Sequence, residues 1–230
     1  MCIEIDGLNY CLDENNSTAE LVSGKIVFDN IINYPGKDKP GDKIFKIRPE
    51  VENEGKKYAV TSVSDKYFDR MEELEILEIP KSIISLKWDF YRCHSLKRFY
   101  VAKENRCYYD IDGVLFAKKN GLKSLFAFPN QYSDEYTIPE DTEVICGKAF
   151  KSCSNLKKVI IPSSVKKMGV NVFYDCGSLD IYLPDDFNIK QEYWSQNSHH
   201  YNKLRFHLCG EVYSVNDLNS FLDNKSTANK

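Results

Sequence analysis

Cysteine is the most reactive side chain that this 230-residue sequence offers in number, with eight copies at positions 2, 11, 93, 107, 146, 153, 176 and 209. A thiol serves as a nucleophile, a soft metal ligand or a disulfide partner, and the metal and redox roles have recognisable spacings. No C-x-x-C occurs, so the commonest zinc and thioredoxin-like patterns are missing. His199, His200, His207 and Cys209 form the one local cluster of imidazole and thiol donors. A transition metal accepts such donors, and a metal-dependent hydrolase centred on His199 is therefore one reading. Against it, the spacing matches no established site and adjacent histidines diverge on a strand; solvated loop histidines are the simpler account, and no metal or other cofactor is expected. Glu72-Glu73 and Asp185-Asp186 would do acid–base work only across a cleft, and nothing in the sequence puts them there. G-x-S-x-G, P-loop, dinucleotide-binding glycine and H-E-x-x-H patterns are absent, so the chain is read as not an enzyme.

Three of the cysteines lead instead to the elements that hold them. Phe68, Phe90, Phe150 and Phe173 are each followed six residues later by leucine: Leu74, Leu96, Leu156 and Leu179. Three residues after the same phenylalanines stand Met71, Cys93, Cys153 and Cys176. Leu77 and Ile79, Phe99 and Val101, and Val159 and Ile161 then alternate with variable residues, as in a short strand with one buried face. Proline closes three of the four strands, at 80, 162 and 184. The phenylalanine spacings of 22, 60 and 23 give a period of 22 to 23 and place an insertion of about 37 residues inside the array. Within it, Asp112-Gly113 and Asn120-Gly121 lie between alternating apolar runs, which reads as a β-meander near residues 103–130. The repeat resumes at Tyr136-Thr137-Ile138-Pro139. Leu179 precedes Pro184 by five positions where Leu156 precedes Pro162 by six, so a bulge or deletion is expected in the last copy.

One such unit is too small to enclose its own Phe, Cys, Leu and Ile, whereas stacked units cover each other's apolar edges. The expected fold is an α/β leucine-rich-repeat solenoid that is β-rich, with short strands on one face, irregular or short helical turns on the other, and the inserted meander. Cys93, Cys153 and Cys176, recurring at a core phase, read as buried free thiols. Stacked strands lie about 4.8 Å apart with parallel side chains, which disfavours disulfides between them. Cys2, Cys11, Cys107, Cys146 and Cys209 have no repeat phase, and one pairing among them stays open.

Ala149-Phe150-Lys151-Ser152-Cys153-Ser154-Asn155-Leu156, continuing through Val159-Ile160-Ile161-Pro162 to Ser164-Val165, resembles the BspA-type leucine-rich repeat family of bacterial surface proteins, as does Val172-Phe173-Tyr174-Asp175-Cys176-Gly177-Ser178-Leu179. The Asp112-Gly113-Val114-Leu115-Phe116 insertion and the opening segments Ile5-Asp6-Gly7-Leu8-Asn9-Tyr10 and Gly55-Lys56-Lys57-Tyr58 are similar to modules of the same proteins, and the likeness covers most of residues 3–184. Departures are Met71 at the cysteine position, Ala102 where proline is usual, and the shortened last copy. The resemblance implies export to the cell surface or surroundings, and binding to host or bacterial proteins or glycans.

The ends differ from the middle. Residues 1–62 carry hairpin signals at Asp6-Gly7 and Glu54-Gly55 and a loop through Tyr34-Pro35-Gly36-Lys37-Asp38-Lys39-Pro40-Gly41, and read as an N-terminal β cap. The repeats then occupy 63–184. Residues 185–222, with Tyr193, Trp194, Tyr201, Leu204, Phe206 and Leu208, read as a closing segment that ends in a short helix capped by Ser214. Residues 223–230 read as a frayed polar tail. Hydrophobic residues at 42% and charged residues at 28% are ordinary for a globular chain. A net charge of -3 without a basic block argues against a nucleic-acid partner. No apolar run reaches the roughly 18 residues of a membrane span, and the first residues lack a signal-peptide pattern, so any export signal is expected to be absent from this chain.

What remains for function is the outward row of the strands. In the repeat register that row is Glu78, Tyr100, Thr137, Ile160 and Tyr182, flanked by Ile76, Arg98, Glu135 and Lys158. Tyrosine, isoleucine and arginine favour protein recognition, because they bury large area at modest entropic cost. The expected function is a recognition or adhesion module, with Glu78, Arg98, Tyr100, Lys158, Ile160 and Tyr182 as its binding residues; a structural spacer without a ligand is the alternative.

Overall fold

A computed structural model describes residues 1–25, 42–64, 68–69, 71–87, 90–119, 121–188, 201 and 203–228, with backbone alone at 68–69, 119 and 225–228. The chain divides into two compact units, Met1–Lys118 and Lys119–Lys230.

In the first unit the strands are β1 (Cys2–Ile5), β2 (Leu8–Asp13), β3 (Thr18–Lys25), β4 (Ile44–Lys46), β5 (Glu50–Asn53), β6 (Lys56–Val63), β7 (Phe68–Asp69), β8 (Ile76–Ile79), β9 (Ser85–Leu86), β10 (Arg98–Val101), β11 (Tyr108–Ile111) and β12 (Val114–Lys119). β1, β2, β3, β6 and β5 pair in that order, with β7 against β3 and β9 against β6. Hairpins turn at Asp6-Gly7, Glu54-Gly55 and Asp112-Gly113, where both residues have positive φ. That is the turn geometry matching the right-handed twist of paired strands, and it explains the Asp-Gly and Glu-Gly dipeptides. β4, β8 and β10 form a separate parallel ladder in the order β10-β8-β4. Ile44–Lys46, inside the segment read as a cap, thus joins the repeat ladder in register with Ile76–Glu78.

The second unit contains β13 (Leu122–Ala127), β14 (Glu135–Thr137), β15 (Val144–Ile145), β16 (Lys158–Ile160), β17 (Lys167–Met168), β18 (Leu179–Tyr182), β19 (Leu204–Leu208), β20 (Glu211–Tyr213) and the helix α1 (Val215–Ala228). Each coil has three sides. One side belongs to the parallel ladder β14-β16-β18-β19, which antiparallel β20 extends, and a second to the parallel ladder β13-β15-β17. The third is built from turns that hydrogen-bond between coils, such as Phe150 N–H to the Val172 carbonyl and Ser152 N–H to the Tyr174 carbonyl. Left-handed backbone at Lys148, Ser152, Asn171 and Asp175 gives this side its corners. Adjacent coils approach closest at two glycines, where a Cβ on Gly169 would lie 2.2 Å from the Gly147 nitrogen. β16 and β18 pair without a register shift from Lys158 and Asp180 onward, so the missing residue of the last copy falls between Leu179 and Asp180.

Phe128, Phe150 and Phe173 form a file in the core, with ring centroids 5.1 and 5.2 Å apart. Leu74, Phe90, Cys93, Leu96, Phe150, Cys153, Leu156, Phe173, Cys176 and Leu179 are all buried, as is Met71; the side chain of Phe68 lies outside the described residues. Ser214 caps α1, its hydroxyl accepting from the Asp217 N–H at 3.3 Å, and Val215, Leu218 and Leu222 form the buried stripe of that helix. The helix runs to Ala228 and takes in most of the segment expected to be frayed. Among the described residues no helix is long and apolar enough to cross a membrane.

Candidate binding surface

Alternation along each strand leaves one set of side chains outside the core, and the ladders set these sets side by side. In the first unit the buried row is Phe45, Leu77 and Phe99, and the outward rows are Lys46, Glu78, Tyr100 and Ile44, Ile76, Arg98. Glu78, Arg98 and Tyr100 are therefore brought together. An Arg98 Nη1 donates to the Tyr100 hydroxyl at 2.8 Å, and the guanidinium carbon lies 5.5 Å from the ring centroid. Lys46 lies 3.7 Å from the Glu78 carboxylate. The Asp112-Gly113 turn packs on Arg98, where a Cβ on Gly113 would meet the Arg98 Cβ at 2.7 Å. Ile76 is wholly buried instead of exposed, because Ile44 and the Arg98 stem flank it in register.

In the second unit Thr137, Ile160, Tyr182 and His207 form one row, and Val212 pairs opposite His207. Ile160 and Tyr182 are each 37% exposed and Val212 57%. Beside them runs a charged row, Glu135, Lys158, Asp180 and Arg205. Lys158 pairs with Glu135 at 3.3 Å. Arg205 grips Asp180 with two nitrogens, and His207 Nε2 lies 2.7 Å from the same carboxylate. Those partners, Arg205 foremost, hold the Asp180 carboxyl down at about 2. The Tyr182 ring stacks on His207 with centroids 4.2 Å apart and planes within 7°, and Lys158 Nζ lies 5.5 Å from the ring. Lysine and histidine come from the two strands that flank β18, and the histidine ring covers one face of the tyrosine.

Lys158, Ile160 and Tyr182 thus share one face, and the sequence reading missed its continuation through Asp180, Arg205, His207 and Val212. Leu204–Leu208 lacks the Phe-Cys-Leu signature, and its strand signal was only the alternation of Leu204, Phe206 and Leu208.

The reactive groups are quiet. Cys176 donates its thiol to the Phe150 carbonyl at 2.9 Å, and the Cys153 thiol faces Asn130 Oδ1 at 3.4 Å. Burial pushes Cys153 well up and Cys176 to about 12, so neither supplies a thiolate near neutral pH. Cys93, Cys153 and Cys176 are in no disulfide, and neither are Cys107, Cys146 and Cys209. Cys2 and Cys11 stand directly opposite on β1 and β2 and form a disulfide. His199 and His200 lie outside the described residues, and among the described residues no three His, Cys, Asp or Glu side chains converge as a metal site.

Comparison with known proteins agrees with this geometry. The model of the BspA type leucine-rich repeat region matches residues 41–130 and 124–217, in six copies. Among solved structures, a leucine-rich repeat protein from Eubacterium ventriosum is 25% identical with a TM-score of 0.51, over 63% of this chain and 37% of its own. This chain thus spans little more than a third of that protein. A T. pallidum leucine-rich repeat protein is 19% identical with a TM-score of 0.45, over 91% of this chain and 82% of its own. A leucine-rich cell surface protein from Faecalibacterium prausnitzii is 16% identical with a TM-score of 0.41, over 80% and 76%. No curated protein matches the chain. The three ladder strands beyond the four found by phenylalanine spacing, Ile44–Lys46, Glu135–Thr137 and Leu204–Leu208, and the family match over more than half of the sequence lead to one conclusion: the chain belongs to the BspA-type leucine-rich repeat family.

Proposed function

We propose that this protein is a non-catalytic recognition module that works outside the cytoplasm and binds a protein partner through the strand face of its second unit. The observation that carries this reading is the accessible row of Ile160, Tyr182 and Val212 beside a charged row whose members already pair with one another. An apolar centre with a satisfied polar rim is the usual anatomy of a protein interface. His207 already stacks on the Tyr182 ring, which narrows the platform open to a sugar ring and favours protein over glycan. The Cys2–Cys11 disulfide supports an oxidising compartment, as does the surface location usual for the family. Glu78, Arg98 and Tyr100 form a second, smaller outward set in the first unit.

The test is surface plasmon resonance of the purified chain against a panel of matrix and mucosal glycoproteins, native and deglycosylated. Ile160→Asp and Tyr182→Ser should each weaken binding at least tenfold, and deglycosylation should leave it unchanged. Binding that is insensitive to both substitutions removes this face from the function. A spacer role has one observation in its favour, the self-neutralised charged row, and it predicts no saturable binding to any member of the panel.

A further inference from the structure

Where β4, β8 and β10 end, the chain diverges. Pro49 and Pro80 cannot donate a ladder hydrogen bond, and Ala102 follows β10 at the position where other coils have proline. The divergence opens a cleft of about 1100 Å³ between these strand ends and the Asp6-Gly7-Leu8 turn of the first hairpin. It lies wholly within the first unit and is distinct from the strand face of the second. Its accessible floor is apolar, with Pro80, Val101 and Ala102, over the buried side chains of Leu8, Phe45 and Ile79.

Charge is confined to the rim. Asp6 pairs with Arg48, and Glu78 with Lys46. Lys103, exposed on the same rim, has no acidic partner among the described residues. The rim therefore holds three cations against two carboxylates and carries a net charge of about +1 in a protein whose formal charge is -3.

We propose that this cleft binds a short peptide segment carrying one carboxylate side chain between aliphatic residues, with the carboxylate on Lys103 and the aliphatic groups on Pro80, Val101 and Ala102. The size is at the upper end of what encloses a drug-like ligand, enough for several residues of extended peptide. Sugars fit less well: the Phe45 ring is buried, the Arg98 guanidinium lies over Tyr100, and the floor offers few groups to fix hydroxyls. A single uncommitted cation is too little for a polyanion. The site goes beyond the strand-face reading and stands or falls separately from it.

The experiment is selection of a random heptapeptide phage library on the wild-type chain, followed by anisotropy titration of the selected peptide in synthetic, labelled form. Enriched sequences should carry Asp or Glu flanked by Leu, Ile or Val. Lys103→Glu should weaken the peptide at least fivefold, Ala102→Trp should weaken it by covering the floor beside Val101, and Tyr182→Ser should leave affinity unchanged. Lys103 is exposed, so its variant should keep the wild-type thermal midpoint, and that measurement separates a lost site from a lost fold. Failure to enrich any sequence, enrichment of peptides without a carboxylate, or equal affinity for wild type and Lys103→Glu would each overturn the proposal.

Discussion

Replacing Gly169 by alanine tests the stacking of coils more directly than any change in the core. The added Cβ would stand 2.2 Å from the Gly147 nitrogen and 2.5 Å from its Cα. Both are backbone atoms, so no side chain can swing away, and the coils must part by roughly 1 Å or more to reach ordinary contact. The separation strains two flanking bonds, Gly169 N–H to the Ile145 carbonyl at 2.8 Å and Lys148 N–H to the Val170 carbonyl at 3.0 Å. Overpacking costs about 1–3 kcal/mol and each weakened bond about 0.5–1.5 kcal/mol, while the stiffer unfolded chain returns about 0.4–1 kcal/mol. The expected loss is about 2–4 kcal/mol. Gly147→Ala meets the Val170 carbonyl oxygen at 3.0 Å, its nitrogen at 3.3 Å and its Cγ2 at 3.6 Å, milder contacts that should cost about 1 kcal/mol. Urea unfolding followed by circular dichroism reads both as shifts in midpoint at constant slope. A Gly169→Ala protein within about 0.5 kcal/mol of wild type, or a Gly147→Ala protein that is the weaker of the two, would refute the close-packed account.

Two other outcomes follow from the titrating groups. Iodoacetamide at pH 8 on the native protein should modify exposed Cys209 quickly and leave Cys153 and Cys176 untouched, since burial raises both thiols, with Cys176 reaching about 12; peptide mass mapping reads this, and rapid labelling of Cys176 would contradict it. The Asp180 carboxyl is depressed from 3.8 to about 2, so its contribution to stability is fully present above about pH 4 and lost as pH falls towards 2. Screening at this partly exposed site limits the contribution to about 1–2 kcal/mol. Asp180→Asn should flatten that part of the stability–pH curve, and an unchanged acid limb would show that Arg205 and His207 do not act on it.

The repeat was legible because its buried phases tolerate few residue types: Phe150, Cys153 and Leu156 each lie in a closed site and recur one coil later as Phe173, Cys176 and Leu179. Phe128 was not read as a repeat phenylalanine, although it stands 22 residues before Phe150 and stacks on it. Three and six residues after it come Gln131 and Asp134 where the other copies have a compact apolar or thiol residue and leucine, so this coil keeps its ring and its Ile138-Pro139 ending but loses the signature between them. Ile44–Lys46 and Leu204–Leu208 were hidden for a related reason. They carry the strand's alternation without the phenylalanine and leucine that precede it in the other copies, and three to five residues of alternation do not distinguish a repeat strand from a cap. The cleft had no sequence signal, since it depends on three strand ends and a hairpin turn brought together from residues 6 to 103.

Parallel in-register stacking also explains why the outward rows are poor in pattern. A side chain on one coil lies about 4.8 Å from its counterpart on the next, so an exact repeat would set like charges directly opposite, which is destabilising. Glu135, Lys158, Asp180 and Arg205 alternate in sign along the ladder, and each neighbouring pair instead contributes about 0.2–1 kcal/mol. Core positions must therefore repeat and charged flank positions must vary. The same alternation cancels the long-range field of this face, which leaves little electrostatic steering for an approaching partner. On the proposed function, discrimination at the strand face rests on contact with Ile160, Tyr182 and Val212 and its affinity should change little with salt, whereas on the proposal for the cleft, with Lys103 uncompensated on its rim, a carboxylate peptide should bind more weakly as ionic strength rises.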